Sequence, residues 1–392
     1  MEKSRIIHLT EPNTLSQYLS EKERQEIVSL KITGVIGKKD FDDVLDDMCE
    51  VWGEYDEDDN FIPDYEDSAA IRHLDMGEAT YVDGDELPYF GWHTQLETLV
   101  LPQGIKSTSE DYESGFSESE MLKTLILPEG LKKVGGFNSC KRLTSLLLPE
   151  GLEEIESFAF CGCEAIKAIK LPKSLKKFDG SCFGGCSIES YEIESDNPYY
   201  TAVDGVIYSK DLTKLVAFPS AYPHNQFEIP KDTRIIGYSA FMDSCIDSVE
   251  LPNSLVTIEG WAFQGSSIKC IELPDTITSI GELTFRFCTK LEHVRLPNGL
   301  NDIPEQMICH CPNLHFLHIP ASVKTIDCTN FAWSYGLTTV EMESDVPPVI
   351  TRLDTRLTWE NAEQTVIVPD SSVVVYVKAP GWNRFIVKGS DC

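Results

Sequence analysis

Short apolar runs that end in proline recur along the chain, at Pro102, Pro128, Pro149, Pro172, Pro230, Pro252, Pro274, Pro297 and Pro320. Successive prolines lie 21 to 26 residues apart, apart from one step of 58. Aligning the chain on them brings other columns into line. Six positions before proline stand Leu96, Leu122, Leu143, Ile166, Ile246, Ile268, Leu291 and Leu314, and only Pro230, preceded by His224, breaks the column. Three positions before proline stand Leu99, Leu125, Leu146, Ile169, Val249, Ile271, Val294 and Leu317. After Leu337 the spacing continues as LTTVEM without the proline. The alternation predicts a short strand in each repeat, ended by a proline that cannot donate to a ladder. One such strand buries too little to be stable. Stacked in parallel about 4.8 Å apart, the strands share a continuous core.

The second half of each repeat carries an aromatic column. Phe160, Phe183, Phe241, Phe263, Phe285 and Phe331 each follow an apolar residue five positions earlier, at Ile155, Phe178, Ile236, Ile258, Ile280 and Ile326. Ile303 and Ile308 fill both slots in the remaining repeat. Segments such as IESFAFCGC are too short for a long helix and predict a second short strand or turn with about one helical turn. Cys140, Cys163, Cys186, Cys245, Cys288 and Cys311 form a further column three or four residues after the aromatic slot. Thiols are small apolar fillers, so the column reads as packing, although ladder neighbours lie close enough to bridge.

Units such as FCGCEAIKAIKLPKSLKKF and FCTKLEHVRLPNGLNDI resemble the BspA-like leucine-rich-repeat family over most of residues 71–392. The insert NPYYTAVDGVIYSKDLTKLVAFPSAY resembles that family's hairpin insertion, and TVIVPDSSVVVYVKAPGWNRF its closing segment. Around Pro102 and Pro128 the aromatic-cysteine segment departs from the pattern. The expected fold is mainly β: one solenoid of about ten coils, each of about 22–23 residues, with parallel strands and short helical turns. Residues 1–70 are expected to cap its N-terminus, 71–342 to form the repeats with the hairpin insertion at about 195–230, and 343–392 to cap its C-terminus. TEPNTLSQYLSEKERQEI predicts a helix with Asn13 or Thr14 as N-cap, and IVSLKITG and IRHLDMGEA predict early strands.

Charge narrows the functions. The 392 residues carry 64 Asp and Glu against 33 Lys and Arg, a net charge of −31. Phosphate backbones and anionic lipid surfaces repel such a chain, so neither nucleic acid nor membrane binding is expected. No apolar run reaches the about 18 residues of a membrane span, and MEKSRIIHLTEP lacks the apolar stretch of a signal peptide. Residues 40–67 hold 14 acidic and no basic side chains, which reads as a solvated or loosely ordered segment.

Candidate chemistry is sparse. Asp56, Asp58, Asn60, Asp64 and Asp67 fall at positions 1, 3, 5, 9 and 12 of a calcium-loop register, but Phe61 stands where the turn requires glycine. Cys309, His310, Cys311, His315 and His318 are possible zinc ligands. The repeat register places Cys311 inward and both His315 and His318 outward, so they would not converge. No GxSxG, P-loop, GxGxxG or HExxH string occurs. No catalytic residue, resident metal or cofactor is assigned, and the chain is expected to be a monomer.

Binding surfaces are better marked. The residue two before each proline alternates out of the core. This column reads Val100, Ile126 and Leu147, then Lys170, Glu250, Glu272, Arg295 and His318, with Glu192 and Glu341 in the strands lacking proline. Three stacked apolar residues on an outer face form a partner patch unless another part of the chain covers them. The hairpin insert offers Tyr199, Tyr200 and Tyr208, which are interface anchors or packing for the hairpin. The leading expectation is a non-catalytic binding scaffold for a protein partner. The family resemblance implies adhesion at a bacterial surface, or secretion. The alternative is a glycan-binding module, which requires exposed aromatic platforms on one face.

Overall fold

The computed structural model describes residues 3–49, 51, 53–56, 61–63, 70–90, 94–108, 116–352 and 364–390. They form two compact units, Met1–Ala202 and Val203–Cys392.

In the first unit six parallel strands make one sheet: Ser4–Leu9, Ser29–Ile36, His73–Tyr81, Thr98–Val100, Thr124–Ile126 and Ser145–Leu147. The register sets like on like, with Leu74 beside Leu99, Leu99 beside Leu125 and Leu125 beside Leu146. Every one of these leucines is buried. The proline-aligned column is therefore an interior column. Ala168–Leu171 and Ser190–Ile193 pair with each other in the same parallel sense, Ile169 beside Tyr191.

The N-terminal segment joins the stack. Ser4–Leu9, which the periodicity does not predict, is the outermost strand, its Ile7 beside Ile32. The predicted helix is shorter than its pattern. Leu15–Gln17 is a single 3-10 turn, and the α-helix runs only over Glu21–Glu26. Thr14 stands at the N-cap of the 3-10 turn, whereas the α-helix is capped by Ser20, which forms a reciprocal capping box with Glu23. The acidic segment also departs from expectation. Lys38–Cys49 is helical and buries Phe41, Val44, Leu45 and Met48. The Asp40 carboxylate is itself buried, accepting the backbone N–H groups of Asn13 and Leu15 at 2.8 Å and of Gly37 at 2.9 Å. Three donors offset the loss of its hydration, which is how an acidic position enters a core.

The second unit contains two longer sheets. Cys270–Glu272, His293–Arg295, Phe316–Ile319, Thr339–Met342, Thr365–Val368 and Ile386–Gly389 are parallel neighbours, with Ile271, Val294, Leu317, Val340 and Val366 in one buried row. Gln226–Glu228 pairs with Ser248–Glu250. The other sheet holds the two-residue strands Ile235–Ile236, Thr257–Ile258 and Ser279–Ile280, which are the second-half strands of the repeat. Lys214–Ala217 precedes them in parallel and pairs antiparallel with Val206–Ser209. Asp204 and Gly205 turn the chain into Val206–Ser209 with φ of 50° and 77°, the left-handed pair of a two-residue hairpin turn. At the C-terminal end Tyr376 and Trp382 are buried, and their polar tips are satisfied. The Tyr376 hydroxyl donates to Ser344 O at 3.0 Å and Trp382 Nε1 donates to Pro348 O at 2.8 Å.

The aromatic column runs further than its motif. In the first unit Phe116, Phe137, Phe160 and Phe183 stack at centroid distances of 5.6, 5.8 and 5.4 Å, with interplanar angles below 10°. Phe90 extends the row edge-on at 4.8 Å from Phe116. In the second unit Phe218, Phe241, Phe263 and Phe285 stack at 4.5, 4.8 and 5.4 Å.

Candidate functional sites

Three residues after the aromatic slot the chain places a small side chain, and in most coils it donates a hydrogen bond. Cys140, Cys163 and Cys186 donate Sγ–H to the carbonyls of Phe116, Phe137 and Phe160 in the preceding coil, at 3.1 to 3.2 Å. Cys288 and Cys311 donate likewise to Phe263 O and Phe285 O at 3.0 and 3.1 Å. Ser334 fills the same slot, its hydroxyl donating to Ile308 O at 2.7 Å. Ser244 also stands three residues after its phenylalanine, and Cys245, one residue later, is exposed. Cys245 is thus removed from the column: the slot takes the small residue at the third position, here the buried Ser244. All twelve described cysteines are free thiols. Burial pushes the Cys288 thiol up to about 12 and raises that of Cys311 well above its ordinary value. These sulfurs are structural donors and poor nucleophiles.

The possible zinc ligands do not converge. Cys311 faces the core, His315 is exposed, and His310 sits on a turn between two rings. His318 departs from its expected outward exposure. It is buried in a central strand, flanked in register by Arg295 and Glu341, with Nε2 3.0 Å from Glu343 Oε1. Among the described residues, no three His, Cys, Asp or Glu side chains gather as a metal site. Of the calcium-loop candidates, Asp58, Asn60, Asp64 and Asp67 lie outside the described residues.

Two exposed columns remain. On the outer face of the first unit's sheet, Val100, Ile126 and Leu147 are direct register neighbours. Val100 is half-buried, its Cγ1 against the space a side chain at Gly77 would need. Ile126 is 50% exposed and Leu147 84% exposed. The six-stranded sheet ends at Ser145–Leu147. Beside that edge lies a groove of about 690 Å³, lined by Leu146, Leu147, Ala168, Ile169, Lys170 and Glu192 among others. The apolar rungs thus run into a partly apolar furrow flanked by two bases, Lys167 and Lys170, and two acids, Glu150 and Glu192.

The second column lies two residues after the aromatic slot, where φ is positive. Its occupants in the first unit are Glu118, Ser139, Gly162 and Gly185. In the second unit they are Asp243, Gly265, Phe287, His310 and Trp333. The cause of the left-handed backbone is visible in the hydrogen bonds. Gly162 N–H donates to Gly184 O, Phe287 N–H to Cys309 O and His310 N–H to Ala332 O, each bond reaching the next coil. Glycine adopts this conformation freely, whereas a residue with Cβ loses about 1–2 kcal/mol there.

The three insert tyrosines are not one surface. Tyr199 is exposed. Tyr200 is half-buried, its hydroxyl donating to Lys176 O at 3.0 Å. Buried Asn197 holds the start of the insert, accepting the N–H groups of Tyr199 and Tyr200 and donating to Pro172 O and Leu175 O. Tyr208 is fully buried with Val206 and Leu215 in the second unit's core, so it faces no partner. Inward alternation of the hairpin strand makes it a packing residue.

The model of the BspA-type leucine-rich-repeat region matches residues 88–202 and 214–338 in six copies. No curated protein matches the chain. Among solved structures, the pneumococcal vaccine antigen PcpA is similar at 20% identity and a TM-score of 0.59, over 95% of this chain and 80% of that one. A leucine-rich cell surface protein from Faecalibacterium prausnitzii is similar at 20% identity and a TM-score of 0.52, over 86% of this chain and 82% of that one. At this identity the likeness concerns the fold. No helix among the described residues is long and apolar enough to cross a membrane.

Proposed function

The chain belongs to the BspA-type leucine-rich-repeat family, and we propose that it is a non-catalytic scaffold for protein–protein contact or adhesion at a bacterial cell surface. The observation that carries this reading is the row Val100, Ile126 and Leu147, which grows more exposed toward the sheet edge and opens onto the adjacent groove. A monomer that leaves Ile and Leu rungs partly in water forgoes a share of the roughly 1.5–3 kcal/mol that full burial of each side chain is worth. A protein partner seated on the face recovers it, with Lys170 and Glu192 at the rim supplying orientation. The surface location is supported by the family and by the Faecalibacterium neighbour, which is described as a cell surface protein.

The test is affinity capture from bacterial surface extract with the wild-type chain and with Ile126→Glu. Ile126 is already half in water, so the variant is expected to fold normally and lose the captured partner. Retention of every partner by a folded Ile126→Glu chain removes this face from the binding surface.

A further inference from the structure

Where the second unit's first-half strands are interrupted, its surface opens. Gln226–Glu228 and Ser248–Glu250 form a ladder of their own, and Cys270–Glu272 starts the six-stranded sheet of the following coils. One main-chain bond, from Lys269 N–H to Asp247 O at 3.0 Å, ties the two together before the strands begin. Among the described residues no ladder continues it. A groove of about 810 Å³ lies at this break. Its floor is the core row itself. Ile271, Val294 and Leu317 are buried, but Phe227 and Val249 at the same repeat position are only half-buried, as is Leu251, and all three line the groove.

The rim is acidic. Glu228, Glu250 and Glu272 follow one another in the outward column and are exposed, with Glu228 directly beside Glu250 in register. Like charges set opposite each other destabilise a sheet. Elsewhere the chain answers an acid with a base one coil away: Glu97 with Lys123, Glu153 with Lys176 and Asp247 with Lys269. Among the described residues none of the three glutamates has such a partner. Arg295, a base lining the groove, is taken up by Asp275 at 3.5 Å. The rim charge is therefore uncompensated, and it stands over apolar side chains that the rest of the row buries.

The chemistry narrows the occupant. No three His, Cys, Asp or Glu side chains among the described residues gather as a metal site, so the acids form a row and not a chelate. Negative charge in a row over an apolar floor fits side chains with long apolar stems and cationic tips, those of lysine and arginine. Phe227 adds a ring for a guanidinium. Gln226, Ser248 and Asn253 also line the groove, with amide and hydroxyl groups that pair with peptide groups. We infer that this groove docks an extended Lys/Arg-rich segment of a protein partner, its stems on Phe227, Val249 and Leu251 and its charged ends at Glu228, Glu250 and Glu272.

The groove belongs to the second unit and does not depend on the Ile126 face of the first, so either can fail alone. The test is a fluorescence-anisotropy titration of the full chain with labelled octa-arginine in 0.15 M NaCl, where charges farther than about 8 Å are screened. Spermine and calcium chloride are titrated in parallel by calorimetry. Glu250→Gln/Glu272→Gln removes two charges from the groove, and Asp42→Asn/Asp43→Asn removes two exposed charges from the first unit. The groove variant should bind octa-arginine at least about tenfold more weakly, and the matched variant less than about twofold. Relief of like-charge repulsion means that the groove variant should melt no lower than wild type. The inference is overturned if the wild-type chain does not bind octa-arginine, if the two variants weaken binding equally, or if spermine or calcium binds with the same dependence on Glu250 and Glu272.

Discussion

The two units share their interiors and differ on their surfaces. Both stack phenylalanines at 4.5 to 5.8 Å, and both bridge coils through a thiol that donates to an aromatic-slot carbonyl. Outside, the first unit presents aliphatic rungs at Val100, Ile126 and Leu147, while the matching positions of the second are Glu250, Glu272 and Arg295. At the left-handed slot the order reverses: small or polar residues in the first unit, rings in the later coils of the second. Inward columns answer to packing, which is the same problem in every coil, so they converge. Outward columns are free of that constraint, and their divergence is where recognition is to be sought.

The sharpest way to break the comparison is to cut into both interiors. Phe160→Ala and Phe263→Ala each remove a fully buried ring from mid-stack. Each is expected to cost about 3–5 kcal/mol in denaturant unfolding. A large inequality between them would show that the two interiors are not equivalent.

A second test uses the thiol ladder. With Cys288 pushed up to about 12 from the ordinary 9.0, the folded state holds this proton more tightly than the unfolded state does. Its stabilising contribution is complete below pH about 9 and declines as pH rises toward 12. Alkaline unfolding should therefore be milder in Cys288→Ser, which keeps a small donor without a titrating thiol. In the native protein, alkylating reagents should reach the exposed Cys245 and Cys270 first and Cys140, Cys163, Cys288 and Cys311 only on unfolding. Prompt labelling of Cys288 at neutral pH would contradict its burial.

The smallest effect belongs to the charged surface. Lys176 and Glu153 lie 2.6 Å apart, both substantially exposed. Such pairs add little, so Lys176→Ala should leave the melting temperature unchanged within error.

Much of the interior was legible because it repeats. Leu99, Leu125, Leu146, Val294 and Leu317 were marked by spacing from proline and are buried as the alternation requires. Phe116, Phe137 and Phe218 escaped because Asp111, Lys132 and Thr213 stand five positions before them, where the other coils carry an apolar residue. The signal that marks Phe116 is Ser119, a small residue three positions later, as Cys140 is for Phe137. The strand Ser4–Leu9 and the buried Asp40 escaped for another reason. Their placement depends on tertiary partners, the Ser29–Ile36 edge and three backbone donors, that no local pattern encodes. Of the surface residues, the Ile126 and Leu147 rungs were found by alternation. The rings of the left-handed slot were not, because positive φ at Phe287, His310 and Trp333 runs against the residue types that usually signal it.

The claim that exposed columns serve recognition and not stability is tested most directly on one variant, Leu147→Glu, measured twice. Its side chain is the most exposed of the apolar rungs. The predicted result is an unchanged melting temperature together with loss of the partner captured by the wild-type chain. A lowered melting temperature, or capture that survives intact, would contradict the account.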